Sequence, residues 1–514
     1  MTREAVSSSA ALFLVAILLA GAALRVPHLR GPIDEPHGWR QAETAQYARS
    51  FWQGRLDVMH PSVCWLGAHR TLALEFPLPE AVTSVVYRML GREELMVPRI
   101  LSLLCYLGAC VYLFRILALL FDAEAGAYAA IVFLVLPLGL YYSRAVHADP
   151  AVLLCAHAAL FYAMAFYEDG GWVRALAASL WATAGFAMKA PYLFYLAVPM
   201  IALMATRIDW RRALVLVAAA VPPVVVFLLW RKHVEVVNAG APDWSFIPGF
   251  HTDFAKHLSG GGAWFYGTLE QRLDPKTWHV LAWRVWREIA GPIGVMLVAL
   301  ALATTPAAAR RFGTRPVLVL WAWGLGALGY VLVFYNLNVI HSYYQLPLVA
   351  VVAMFVALGL ATFRREWSDL VPWVSSFAVA GALALLTVHS LVLARGRYYQ
   401  ADEPRAQAAA IIRSQTAPNA LIVTAISHDD RTDDPRLLYR ASRYGWSMGV
   451  TAVDTALVTR MRQLGATDLA VLLDGPPPQA LIGVVARHPA ATSFELPAKP
   501  WRLLLVPLGA RHGG

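Results

Sequence analysis

Eleven consecutive residues near the amino terminus, Asp34-Glu35-Pro36-His37-Gly38-Trp39-Arg40-Gln41-Ala42-Glu43-Thr44, bring together three carboxylates, an imidazole, a guanidinium and an indole. A carboxylate such as Asp34 or Glu43 can take a proton from an attacking hydroxyl, and a guanidinium such as Arg40 can neutralise charge building on a leaving phosphate. Glu35, His37 and Trp39 add hydrogen-bonding groups and a ring face suited to a polar substrate. A solvated loop rich in charge carries the same residue types, so the string counts only together with what accompanies it.

Three further strings accompany it. Tyr142-Ser143-Arg144-Ala145-Val146-His147-Ala148-Asp149-Pro150 and Met188-Lys189-Ala190-Pro191 place ionisable groups at the ends of apolar runs. Charge at membrane depth is costly and faces a cavity or a partner, so Arg144 and Lys189 are candidates for binding an anion or for pairing with Asp149. Snorkelling to lipid headgroups is the plainer alternative. Asn338-Val339-Ile340-His341-Ser342-Tyr343-Tyr344-Gln345-Leu346-Pro347 adds His341, Tyr343 and Tyr344, donors and aromatic faces for a sugar or its phosphate. Two other strings are set aside. Gly324-Leu325-Gly326-Ala327-Leu328-Gly329 fits a dinucleotide fingerprint but lies in an apolar run with no preceding strand, which reads as close helix packing. His428-Asp429-Asp430-Arg431-Thr432-Asp433-Asp434 lacks the spacing of a calcium loop and reads as solvated.

The elements that must position these residues follow from composition. Of 514 residues, 58% are hydrophobic and 15% charged, and the mean hydropathy is +0.52, which excludes a soluble enzyme throughout. Hydropathy predicts spanning helices near 9–26, 95–121, 125–142, 150–167, 172–188, 190–206, 212–231, 289–304, 316–335, 343–363 and 370–394. The first reads as a retained signal anchor. Arg174, Arg207, Arg211, Arg212, Arg310, Arg311, Arg315, Arg364 and Arg365 then fall in inner loops, which puts the amino terminus in the cytoplasm and the candidate strings outside. The net charge of +10 is spread over such loops and does not indicate nucleic acid. Only Cys64 of four cysteines lies in a loop, so no loop disulfide is available. Residues 76–90 and 275–292 read as interfacial segments, and Gly260-Gly261-Gly262 as a hinge or a plain linker. From residue 395 the pattern changes to helix 404–415, strand 420–425, helix 454–464, strand 468–473 and a last strand over 503–508. The expected organisation is a catalytic membrane domain over 1–394 and a small soluble α/β domain over 395–514.

In order along the chain, Asp34-Glu35, the HisGlyTrpArgGlnAlaGluThr string at 37–44, Glu75-Phe76-Pro77-Leu78, TyrSerArg…Asp at 142–149, Lys189-Ala190-Pro191 and His341-Ser-Tyr-Tyr-Gln-Leu-Pro resemble the glycosyltransferase C superfamily. The likeness is to its bacterial family 39 branch of protein O-mannosyltransferases and aminoarabinose transferases, and it covers most of residues 9–394. The resemblance implies a multi-pass enzyme of the bacterial inner membrane with its tail in the periplasm. Such an enzyme transfers a sugar from a polyprenyl phosphate to lipopolysaccharide, another glycan, a lipid or a protein. It also implies an acidic general base in the first loop. Asp34 and Glu43 both match, and the alignment leaves the choice open: related chains often carry Asp where Glu43 stands, and the simpler Asp-Glu pattern fits Asp34-Glu35 only with an insertion before Tyr47; Asp34 is preferred. The expected reaction is an inverting displacement, with Arg40, Lys189, Arg144, His341 and Tyr344 at the departing phosphate, Asp149 orienting them, and Glu35, His37, Trp39 and Tyr343 on the substrate. No spacing demands a cofactor, though a divalent cation would be compatible. The competing class is a transporter or flippase, whose ionisable groups should sit at mid-membrane.

Overall fold

A computed structural model of the chain describes residues 8–250, 262–368 and 371–509. It resolves into two compact units, one formed by Met1–Arg30, Met96–Trp230 and Gly261–Tyr399, the other by Gly31–Leu95, Arg231–Gly260 and Gln400–Gly514.

The first unit is helical. Among the described residues seven helices are long and apolar enough to cross a membrane: Ser8–His28, Met96–Leu120, Asp149–Asp169, Trp210–Asn238, Thr314–Val333, Ser342–Ser368 and Trp373–Arg397. Pro275–Ile289 and Gly291–Ala303 form an eighth if they count as one span bent by 97°. The chain is therefore a multi-pass α-helical membrane protein. Leu214, Val217, Val221 and Leu228 stay exposed on their helix, as expected where lipid tails and not water form the surroundings. The predicted segments at 125–142 and 190–206 are also helical, but each is broken. Pro137 has no N–H to donate to residue 133, so Ala123–Val135 stops and Pro137–Tyr142 restarts beyond an extended Leu136. Likewise Pro191–Phe194 gives way to Ala197–Thr206. The core gathers Tyr106, Leu113, Phe133, Leu153, Trp323 and Val356. The glycine repeat lies inside Thr314–Val333, and a Cβ on Gly326 would come 2.6 Å from the Tyr195 carbonyl oxygen, so its role is close backbone packing.

The second unit contains the sheet. Strands β1 (Asp34–Glu35) and β2 (Gln400–Ala401) pair antiparallel, Asp34 opposite Ala401. Strands β3 (Leu421–Ile426), β4 (Tyr444–Gly449), β5 (Asp468–Leu473), β6 (Thr492–Glu495) and β7 (Arg502–Pro507) form a five-stranded sheet in the order β4-β3-β5-β7-β6. β3 runs parallel to β4 and β5, while β7 is antiparallel to β5 and β6. All six β3 residues are buried, which fits its continuous run of apolar residues around Thr424. The tail elements predicted from the pattern are present, and two pieces read as separate outer segments join them. The backbones of Gly67 and Gly445 bond at 2.6 Å, Gly445 N–H donates to Cys64 O at 2.9 Å, and the Asn238 side chain bonds both ways to the Ala73 backbone at 2.8 Å.

Two helices of this unit position the first-loop residues, Gly38–Gln53 and Leu78–Leu90. The second turns Glu80, Thr83, Ser84 and Tyr87 inward and leaves Leu78, Val82, Val85 and Met89 exposed. An apolar face turned outward at helical spacing is compatible with the interfacial reading of its sequence. Of the glycine triplet read as a hinge, Gly260 and Gly261 lie outside the described residues.

Candidate active site

Helix Gly38–Gln53 follows directly from strand β1, and its first two turns carry the acidic chemistry. Asp34 is nearly buried in β1, where its carbonyl accepts from Gln41 Nε2 at 2.8 Å. Glu35 accepts from Gly38 N–H at 2.9 Å and from Arg436 Nη1 at 2.6 Å. His37 occupies the N-cap position in a left-handed conformation, and Trp39 is half-buried. Arg40 forks between two carboxylates, donating to Glu43 Oε2 at 2.6 Å through Nη1 and to Glu75 Oε2 through Nη2. Glu43 lies three residues on, one turn of helix away, and is only 3% exposed. Burial pushes its carboxyl up to about 7 against the pull of Arg40, with Asp433 and Glu75 adding to the rise. Glu80 is likewise pushed up to about 7 by burial, with Glu75 and Glu43 among its charged neighbours. One guanidinium thus stands among three carboxylates, an arrangement that holds a proton near neutrality and can exchange it.

The first unit holds a cluster of the opposite balance. Asp149 opens its helix and receives Lys189 Nζ on Oδ1 at 2.8 Å, the Tyr192 hydroxyl on the same oxygen, and His147 Nδ1 on Oδ2. The Lys189 ammonium stands 5.1, 4.9 and 4.3 Å from the ring centroids of Tyr192, Tyr343 and Tyr344. His341 stacks on Tyr343 at 5.0 Å, and the Tyr192 hydroxyl also lies 2.6 Å from the Tyr343 carbonyl oxygen. Lys189 is thus paired with Asp149, one of the outcomes open to it. Arg144 is fully buried with its guanidinium 4.8 Å from the Tyr141 ring and 4.6 Å from that of Tyr399.

Residues 75–231 match the family model described as dolichyl-phosphate-mannose-protein mannosyltransferase. The fold is similar over its whole length to ArnT from Cupriavidus metallidurans. The ArnT structure bound to undecaprenyl phosphate is 15% identical with a TM-score of 0.61, covering 99% of this chain and 100% of that one. The apo ArnT structure is 14% identical with a TM-score of 0.60 at the same coverage. The chain thus shares the fold of ArnT and, over residues 75–231, the pattern of that mannosyltransferase family. The fold also resembles the oligosaccharyltransferase of Archaeoglobus fulgidus, solved in complex with Zn and sulfate, at 13% identity and a TM-score of 0.59, over 89% of this chain and 67% of that one. No curated protein sequence matches it.

The predicted site residues fall into two sets. Asp34, Glu35, His37, Trp39, Arg40 and Glu43 are gathered in the second unit, and Arg144, Asp149, Lys189, His341, Tyr343 and Tyr344 in the first. Sequence reasoning passed over Glu80, Tyr192 and Arg436. Tyr192 sits three residues after Lys189, and Glu80 lies in the first turn of a helix that the sequence implied, so spacing could have found both. Arg436 is 401 residues from its partner Glu35 and carries no such signal. The acidic string at 428–434, read as solvated, is instead an ion network: Asp434 is 2% exposed and receives Arg436 at 2.7 Å, while Asp429 receives Arg405 at 2.5 Å and Arg436 at 2.7 Å. Burial would raise the Asp434 carboxyl, and the guanidinium of Arg436 holds it well below the usual carboxylate range. Among the described residues no group of three or more His, Cys, Asp or Glu side chains is arranged to hold a metal ion.

Proposed function

We propose that this multi-pass membrane protein is a glycosyltransferase that takes a sugar from a polyprenyl phosphate and joins it to a hydroxyl of an envelope acceptor, whether lipopolysaccharide, another glycan, a lipid or a protein, with Glu43 as general base. The observation that carries the reading is the buried Glu43 carboxyl, oriented by Arg40 and poised near neutrality. A base is most effective when its proton affinity lies near the working pH. Glu43 removes the acceptor proton, the oxygen attacks the anomeric carbon, and the bond to the lipid phosphate breaks on the opposite face, inverting the anomer. Arg40 is tied to two carboxylates, which suits it to orienting Glu43 more than to receiving a phosphate. Within the first unit the group suited to an anion such as a lipid phosphate is Lys189, whose ammonium has three donors of which Asp149 takes one. Beside Glu43 in the second unit, Trp39 and His37 offer a ring face and donors to the acceptor, and Asp34 anchors the start of the base-bearing helix.

A donor on a lipid agrees with the ArnT relative solved with undecaprenyl phosphate. The location that follows is the inner membrane of a bacterium, amino terminus in the cytoplasm, tail in the periplasm, where nucleotide sugars are absent. The test compares envelope glycans and glycolipids by mass spectrometry in cells with the gene, without it, and with Glu43→Gln in its place. One sugar should vanish in the second and third and return with the intact gene. A lost sugar that Glu43→Gln restores would remove Glu43 as the base, and an unchanged envelope would favour transport. Turnover before and after chelation measures any contribution from a divalent cation.

A further inference from the structure

Helix Gly38–Gln53 is capped from an unusual quarter. Its N-cap residue His37 supplies no side-chain cap, and Glu35 does so instead, placing a carboxylate at the positive end of the helix. A Cβ on Gly38 would come 2.8 Å from Glu35 Oε1, so only glycine leaves that carboxylate its place. The same oxygen receives Arg436, a residue of the short helix Arg436–Ala441 in the tail. Arg436 is itself immobilised, 7% exposed, with Nε 2.9 Å from Asp434 Oδ1 and Nη2 2.7 Å from both Asp434 and Asp429. Arg405 extends the network to Asp402 at 2.6 Å. Arg440, one turn beyond Arg436, donates to the carbonyls of Ile33 and Asp402, securing the strand pair β1–β2 from the same side. Farther along the helix, Arg49 donates to the Tyr439 carbonyl at 2.7 Å.

We infer that the tail is a clamp on the base-bearing helix: Arg436, acting through Glu35, fixes the first turn of Gly38–Gln53 and so the placement of Arg40 and Glu43. Arg436 is on this account a positioning residue, and the inference rests on Glu43 being the base. The tail needs no partner of its own to have a function. A fixed carboxylate fork at one end and a helix cap at the other transmit position because neither end can move without breaking a partly buried charged hydrogen bond.

The experiment uses the full-length protein in lipid nanodiscs. It follows transfer from the extracted polyprenyl-phosphate-sugar fraction of the source membranes into the envelope fraction of cells lacking the gene, with amide exchange read by mass spectrometry. Arg436→Met should lower turnover roughly 10- to 100-fold, the range expected when a reacting group is displaced by an ångström or so. It should also speed exchange in peptides spanning residues 38–46 while leaving those of β3 and β5 unchanged. Arg436→Lys should restore most of both. Glu35→Ala, which leaves the tail network intact, should reproduce the Arg436→Met effects. Wild-type turnover in Arg436→Met and Glu35→Ala alongside an inactive Glu43→Gln would overturn the clamp and leave the base in place. An active Glu43→Gln would overturn the base, and the exchange data would still report on the clamp. Accelerated exchange throughout the sheet would mark Arg436 as a general stabiliser and also overturn the inference.

Discussion

The two charged clusters are near mirror images in charge. In the first unit one carboxylate, Asp149, is surrounded by an ammonium, an imidazole and a phenol hydroxyl. In the second, one guanidinium, Arg40, is surrounded by carboxylates. Burial penalises charge equally in both, and the neighbours decide what each can do. A surplus of donors around Asp149 suits an incoming anion, and a surplus of carboxylates around Arg40 suits a proton acceptor. The same chain therefore builds two chemically distinct sites from nearly the same residue types, by reversing which sign is in the minority.

The comparison breaks first at Glu43. Glu43→Gln should lower transfer about 100- to 10,000-fold, the range for loss of a general base, while Asp34→Asn should cost far less. Equal losses would mean that the carboxylate majority is not the acceptor. In the other cluster, Lys189→Met leaves Asp149 buried with one cation fewer. It should destabilise the protein by about 3–5 kcal/mol, read as a lowered melting temperature, and the double variant with Asp149→Asn should recover part of that loss. The pH profile sharpens the contrast. With the Glu43 carboxyl near 7, kcat/KM should rise as pH passes upward through that value, because only the deprotonated form accepts a proton. The smallest effect concerns Asp433, whose charge adds to the rise at Glu43: Asp433→Asn should move that acid limb down by roughly a few tenths of a pH unit.

Much of this was legible in the chain. Apolar runs announce helices whatever they pack against, because a backbone in lipid must satisfy its own hydrogen bonds. The alternation of helix and strand after residue 395 was equally open to reading, since β3 and β5 are short continuous apolar runs bounded by polar turns. The candidate residues were found because charges beside apolar helices are costly enough to need a reason. The breaks at Leu136 and near Pro191 were less visible, since hydropathy averages over the interruption that a proline makes. The acidic string at 428–434 was misread because charge density alone does not reveal burial. Only the arrival of Arg405 and Arg436 from other elements makes a dry network of it.

Composition and periodicity by themselves determined a multi-pass helical protein with an α/β tail and marked which side chains deserved chemistry. Both are sums over neighbours in the chain, and neighbours in the chain are all that a pattern records. Which sign holds the majority around a given charge was decided only by the tertiary structure. So was the union of Gly31–Leu95 with the tail, where Glu35 meets Arg436 across 401 positions. Those outcomes depend on through-space distance, and Coulomb energy and burial follow that distance and not separation along the sequence.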